Sequence, residues 1–181
     1  DAARCSRMSL LEYPYTRLGR VISGGQDGAD LGGLEAAWDF NILTGGHCPK
    51  FYRTSSGPNL DLRDKFGLIE TDATNYQKRT GLNAKNGDGT IRFASDFSTA
   101  GEQLTLRFIK QYDKPHFDVN LPVLEFEYAE LYRRIGQWIV DNKISTLNVA
   151  GNRDKDKRQG FHFRQTYIIL TGVFMWLKEN K

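Results

Sequence analysis

The sequence is poor in several features at once. Its 181 residues include two cysteines, three histidines and five prolines. Cys5 and Cys48 lie far apart, which argues against a disulfide scaffold and for a reducing compartment, the cytoplasm. His47, His116 and His162 stand in no zinc-ligand spacing with either cysteine, so no metal site is expected. No apolar run approaches the roughly 20 residues that a membrane span needs, and the first residues carry no apolar signal-peptide core. A formal charge of +3 is too mild for the dense basic stripe of a duplex binder. Phe51-Tyr52-Arg53 is a small piece of the aromatic–basic interleaving that single strands favour, too little to make nucleic acid an expected partner. Internal repeats and low-complexity segments are missing as well.

What is present is the composition of one folded domain: 39% hydrophobic and 26% charged residues, in a length that suits a single core. Residues 1–19 read as an N-terminal extension; the part before Met8 is expected to be expression-derived or alternative-start sequence. Residues 20–181 read as the domain. Eighteen glycines against five prolines point to tight turns between strands and helices.

Strands are expected at Gly19–Ser23, Ile42–Thr44, Gly89–Ala94, Pro115–Val119 and Ser145–Ala150. Between them lie helical stripes: Leu31, Leu34 and Trp38, capped by Asp27 or Asp30; a polar helix over Asn75–Asn86, broken at Gly81; Leu104, Phe108, Ile109 and Tyr112; and Tyr128, Leu131, Ile135, Trp138 and Ile139. A last helix from about Phe161 to Lys178 is apolar nearly all round, which predicts a homo-oligomer buried partly through it. Residues 51–72 show no periodicity, with a turn at Ser55-Ser56-Gly57-Pro58-Asn59, and read as a lid or binding loop.

Alternating strands and helices imply an α/β fold: three layers, Rossmann-like, with a mostly parallel sheet and helices on both faces. Ligands of such sheets bind outside the carboxyl ends of the strands. That edge gathers Gly24-Gly25, Gly45-Gly46, Ala100-Gly101 and Gly151-Asn152. Ser23-Gly24-Gly25-Gln26-Asp27-Gly28-Ala29-Asp30 is the sharpest signal, since glycines let the backbone approach a phosphate at a helix start. It is neither a P-loop nor a G-x-G-x-x-G motif. A bulky residue at Gly25 is expected to abolish ligand binding and leave the fold intact.

Val21–Asp30 resembles the opening motif of the molybdenum cofactor carrier-like family, within the LOG-like (lysine-decarboxylase-like) Rossmann superfamily. Gly45–Lys50 is similar to its second motif, and Arg79-Thr80, Asn83 and Asp88-Gly89-Thr90 to its third. Leu104-Thr105 and Leu147–Gly151 follow in order. The resemblance implies a phosphate held by glycine-rich strand ends and, as ligand, the molybdenum cofactor or a nucleotide. The sequence departs from the family at four places. Asp27 stands where Thr is usual, Leu31 where Arg is common, Glu102 within what is elsewhere Gly-Gly-Thr, and Asn152 where Pro is usual.

These readings give a binding site of Ser23, Gly24, Gly25, Gln26, Asp27, Gly46, Lys50, Arg79, Thr80, Asn83, Gly101, Thr105, Gly151 and Arg153. Lys50, Arg79 and Arg153 are its anion-binding cations. Asp30 and Glu102 are the candidate catalytic carboxylates. Cys48 beside His47 reads as a small buried hydrophobe rather than a reactive thiol or a soft molybdenum ligand. His116 and His162 have no partner pattern and read as structural or exposed. The expected partner is a phosphorylated small molecule, bound by a carrier, sensor or sequestering protein. An N-glycosidase acting on nucleoside phosphates is the alternative, and single-stranded nucleic-acid binding a second one.

Overall fold

The computed structural model describes residues 18–155 and 157–180; the expected N-terminal extension, with Cys5, lies outside them but for its last two residues. In chain order the elements are β1 (Arg20–Ser23), α1 (Ala29–Asp39), β2 (Leu43–Gly45), β3 (His47–Cys48), β4 (Arg53–Thr54), β5 (Gly57–Pro58), α2 (Asp61–Asp64) and β6 (Ile69–Glu70). They continue with α3 (Tyr76–Asn86), β7 (Gly89–Ala94), α4 (Ala100–Gln111), β8 (His116–Asn120), α5 (Tyr128–Asp141), β9 (Thr146–Gly151) and α6 (Phe161–Glu179).

Five of these strands form one sheet in the order β2-β1-β9-β7-β8, and every pairing is parallel. The last strand sits in the middle: Val21 lies opposite Leu147, and Ile91 opposite Val149. Moving β9 to the front of the chain would turn this order into 3-2-1-4-5, the dinucleotide-binding arrangement. The chain is thus a circular permutation of that topology. Its switch point, where the strand order reverses, falls between β9 and β7.

The direction of each crossover sets the layers, since right-handed connections send helices to opposite faces according to the way the chain moves along the sheet. Helices α1, α5 and α6 pack together on one face, with α3 and α4 on the other. Val21, Phe93, Leu147 and Val149 pack against Ile135 and Ile139 of α5 and Ile169, Leu170 and Val173 of α6. A second cluster joins Leu31 and Leu34 of α1 to Cys48, Leu62, Phe66, Leu68 and Phe163. Residues 51–72 are therefore a cover fastened by fully buried side chains rather than a free lid. Each such Leu or Phe contributes roughly 1.5–3 kcal/mol by burial.

Three local expectations change. Helix α1 has Gly28 as its N-cap, with no side-chain cap, because the Asp27 carboxylate is drawn away to Ser56. Helix α3 runs unbroken through Gly81, where a Cβ would stand 3.0 Å from the Phe108 ring; the glycine lets α3 lie close to α4. Asn75 caps this helix by accepting from the Gln77 amide. The apolar circumference of α6 is largely used inside the chain, because the helix is wedged between α1 and α5. Gly136 faces Trp176 there, and Gly172 faces Tyr132.

Candidate functional site

The carboxyl end of β1 opens into Gly24-Gly25, and the two glycines do different things. Arg79 reaches from α3 across Gly24, where a Cβ would stand 1.7 Å from its Nη1. That guanidinium donates to Asp30 Oδ2 at 3.0 Å, and the same carboxylate oxygen accepts from the Gln26 amide at 3.2 Å. Arg79 Nε is buried and has no protein partner among the described residues. Burial pushes the Asp30 carboxyl up from its ordinary value, and the Arg79 charge opposes that shift. Gly25 instead faces the protein: its φ is 72°, and a Cβ would meet the Leu62 methyls at 2.7 Å. A bulky side chain at Gly25 would strike the Leu62–Leu68 cluster, so the fold depends on this glycine, contrary to the sequence-based expectation.

Gln26 and Asp27 are occupied within the chain. Gln26 Oε1 accepts from the amides of Asp27 and Ser55, and Asp27 Oδ2 accepts from Ser56 at 2.8 Å. Together they hold the β4–β5 hairpin against β1. Ser23 donates through Oγ to the Val149 carbonyl. Gly46 lies against the Ser23 backbone. Asn83 takes both sides of the His47 peptide, accepting from its N–H and donating to its C=O. Thr80 and Thr105 each donate one turn back along their own helices, to Tyr76 and Gly101. Gly151 packs on the Phe93 carbonyl.

Gly101 is open, with nothing within 4 Å of a Cβ. Arg153 is exposed and forms a backbone bridge with Gly28. Lys50 Nζ stands 5.0 Å from the centre of the Phe51 ring. Cys48 is fully buried, and burial pushes its thiol up to about 12, which removes the thiolate that nucleophilic or metal-binding chemistry needs.

Glu102 lies in the first turn of α4 and is 3% exposed. Burial pushes its carboxyl up to about 7 against the pull of Arg92. Arg92 Nη1 stands 3.5 Å from Glu102 Oε2, yet the guanidinium fork belongs to Asp118, at 2.8 and 2.5 Å. Oε2 of Glu102 is left without a hydrogen-bond partner among the described residues. Glu102 feels the charges of Arg92, Asp30 and Arg79, and Asp30 feels that of Arg79. They form one buried polar cluster below the strand ends.

Sequence reasoning passed over the other side of the switch point. The Asn152 side-chain oxygen accepts from the amides of Ser95 and Asp96, each at 3.0 Å, and its amide donates back to the Asp96 carbonyl. Ser95 Oγ lies 2.9 Å from His162 Nε2, and His162 Nδ1 lies 2.9 Å from Asp154 Oδ1. Asp154 also accepts from the His162 and Phe163 amides in the first turn of α6. Three separate segments supply these groups, so no local spacing announced them; the one available signal was an unexplained histidine at a helix start.

Among the described residues no group of three or more His, Cys, Asp or Glu side chains is placed to hold a metal, and no helix is long and apolar enough to cross a membrane. No curated protein matches the sequence. A solved structure described as "Putative molybdenum carrier protein", from Syntrophus aciditrophicus SB, shares 30% identity and superposes with a TM-score of 0.76, over 88% of this chain and 96% of that one. The model of the circularly permutated YpsA SLOG family matches residues 21–171, in agreement with the permuted strand order. The chain belongs to that family.

Proposed function

We propose that the protein binds a phosphorylated, nucleotide-like small molecule at the carboxyl ends of β1, β7 and β9, as a carrier, sensor or sequestering protein. Arg79 carries this reading. Its guanidinium lies directly over a glycine turn, is held on one edge by Asp30, and keeps a buried Nε–H with no partner among the described residues. A buried donor without a partner costs about 1–3 kcal/mol, and an anionic oxygen from a ligand would relieve that cost. Glu102, with its carboxyl near 7, offers a protonated oxygen as a neutral donor beside the same cluster. The molybdenum named for the solved relative makes the phosphorylated pterin of the molybdenum cofactor one candidate, and a nucleotide the other.

Native and denaturing mass spectrometry of natively purified protein tests this. A stoichiometric phosphorylated mass that disappears in Arg79→Ala supports the reading. An empty protein that also shows no thermal shift with nucleotides or phosphorylated pterins overturns it.

One observation favours a second reading, hydrolysis of a nucleoside phosphate at its glycosidic bond. A carboxyl near pH 7 suits a general acid that protonates a departing base. Chromatographic detection of free base from nucleoside 5′-monophosphates, lost in Glu102→Gln, would establish it.

A further inference from the structure

We infer that Ser95, His162 and Asp154 form a nucleophilic triad that cleaves carboxylic esters with an apolar acyl group. The three side chains stand in one hydrogen-bonded line, with 2.9 Å from Ser95 Oγ to His162 Nε2 and 2.9 Å from His162 Nδ1 to Asp154 Oδ1. Their environments match their roles. Ser95 is exposed at the end of β7, His162 is partly covered, and Asp154 is buried. Asp154 can accept but not donate while ionised, and it already accepts from two α6 amides. It therefore fixes the proton of His162 on Nδ1 and leaves the Nε2 lone pair to accept from the Ser95 hydroxyl.

The setting is rigid. Asn152 pins the Ser95 and Asp96 amides, and Asp96 accepts from the Ser98 amide and hydroxyl. Gly160 leaves the space that the Asp154 carboxylate fills. Such support is what holds a nucleophile and its base in reactive geometry.

The surroundings point to the acyl group. Phe161 stands edge-on to the His162 ring at 5.1 Å and is exposed. The loop after β8 is tied to α6 one turn further on, where Gln165 accepts from the Val123 amide, and it presents Leu124 and Phe126, both exposed. In the reaction, Ser95 Oγ forms a bond to the ester carbonyl carbon while its proton passes to His162 Nε2. The carbon–oxygen bond to the alcohol then breaks, and Nε2 returns the proton to the leaving oxygen. Water repeats the sequence on the acyl-serine and releases the acid.

The inference is independent of ligand binding at Arg79. Its test uses the full chain with a fluorophosphonate probe and, separately, p-nitrophenyl butyrate. With the probe, Ser95 Oγ attacks phosphorus and fluoride leaves. The expected result is one adduct on the Ser95 peptide, absent from heat-denatured protein and from Ser95→Ala. Butyrate-ester turnover should be lost in that variant as well, and His162→Gln should slow labelling by about a hundredfold or more. Ser95 is exposed, so Ser95→Ala should melt as the parent does. Absence of labelling in the folded parent, an adduct that survives Ser95→Ala, or an unchanged rate in His162→Gln would each overturn the triad.

Discussion

Arg79 occupies the space that a side chain at Gly24 would need, with its Nη1 1.7 Å from the position of a Cβ. The pair couples the glycine turn to the buried cluster, because the same nitrogen holds Asp30. Gly24→Ala should push the guanidinium aside and leave Asp30 with backbone amides but without its cation. Arginine is flexible, so the fold should survive with a loss of about 1–3 kcal/mol. Affinity for the phosphorylated ligand should fall at least about tenfold, which corresponds to one lost charge-assisted hydrogen bond of about 1.5–3 kcal/mol. Calorimetric titration beside a thermal melt separates the two effects.

Gly25 behaves otherwise. Gly25→Val would combine a strained positive φ with a clash against Leu62 and Leu68. A loss of roughly 2–4 kcal/mol is expected from strain and overpacking together, visible as a lowered denaturant midpoint even without ligand. A midpoint equal to the parent's would show that the Leu62 cluster yields freely.

Glu102 makes stability depend on pH. Its folded pKa, about 7, lies above the ordinary 4.5, so the folded chain holds the proton more tightly than the unfolded one. Its contribution is fully present below about 4.5 and is lost as pH rises through about 7. The span corresponds to roughly 3 kcal/mol. Glu102→Gln should remove that slope and stabilise the protein at pH 8, in urea titrations compared at pH 5 and 8. Parallel slopes in parent and variant would show that Glu102 is charged throughout.

Asn152 joins the loops after β7 and β9 through its side chain. Asn152→Ala should cost about 1–2 kcal/mol, and hydrogen exchange at the Ser95 and Asp96 amides should quicken while the β7 amides stay protected. Unchanged exchange at both amides would mean that other contacts hold the loop.

Assembly is tested on α6. Truncation after Leu170 would remove Val173, Phe174 and Leu177, all buried in the core, and should unfold the chain whatever its oligomeric state. Ile168 and Met175 are its exposed apolar residues beyond the first turn. If copies associate through α6, Ile168→Glu with Met175→Glu should lower the mass measured by light scattering without lowering the melting temperature.

The strands and the start of α6 were legible in the sequence because periodicity and turn chemistry act over a few residues. Gln26 and Asp27 looked like ligand-binding residues because nothing local shows that Ser55 and Ser56 come back to claim them. The apolar girth of α6 suggested a second subunit, whereas two helices of the same chain cover most of it. The meeting of Ser95, His162 and Asp154 was illegible for the same reason: contacts between distant loops leave no period in the sequence. Arg79 was legible as a cation but not as one that rests on Gly24.

The central place of β9 also sets the order in which the molecule can be made. Its neighbours β1 and β7 are synthesised long before it, and neither finds its inner partner until the last strand arrives. Any shorter N-terminal product carries two half-sheets with unsatisfied inner edges, which makes premature termination a route to aggregation. Closure of the sheet is then a late, long-range event that joins residues 20–23 to 146–149, a topology expected to slow folding.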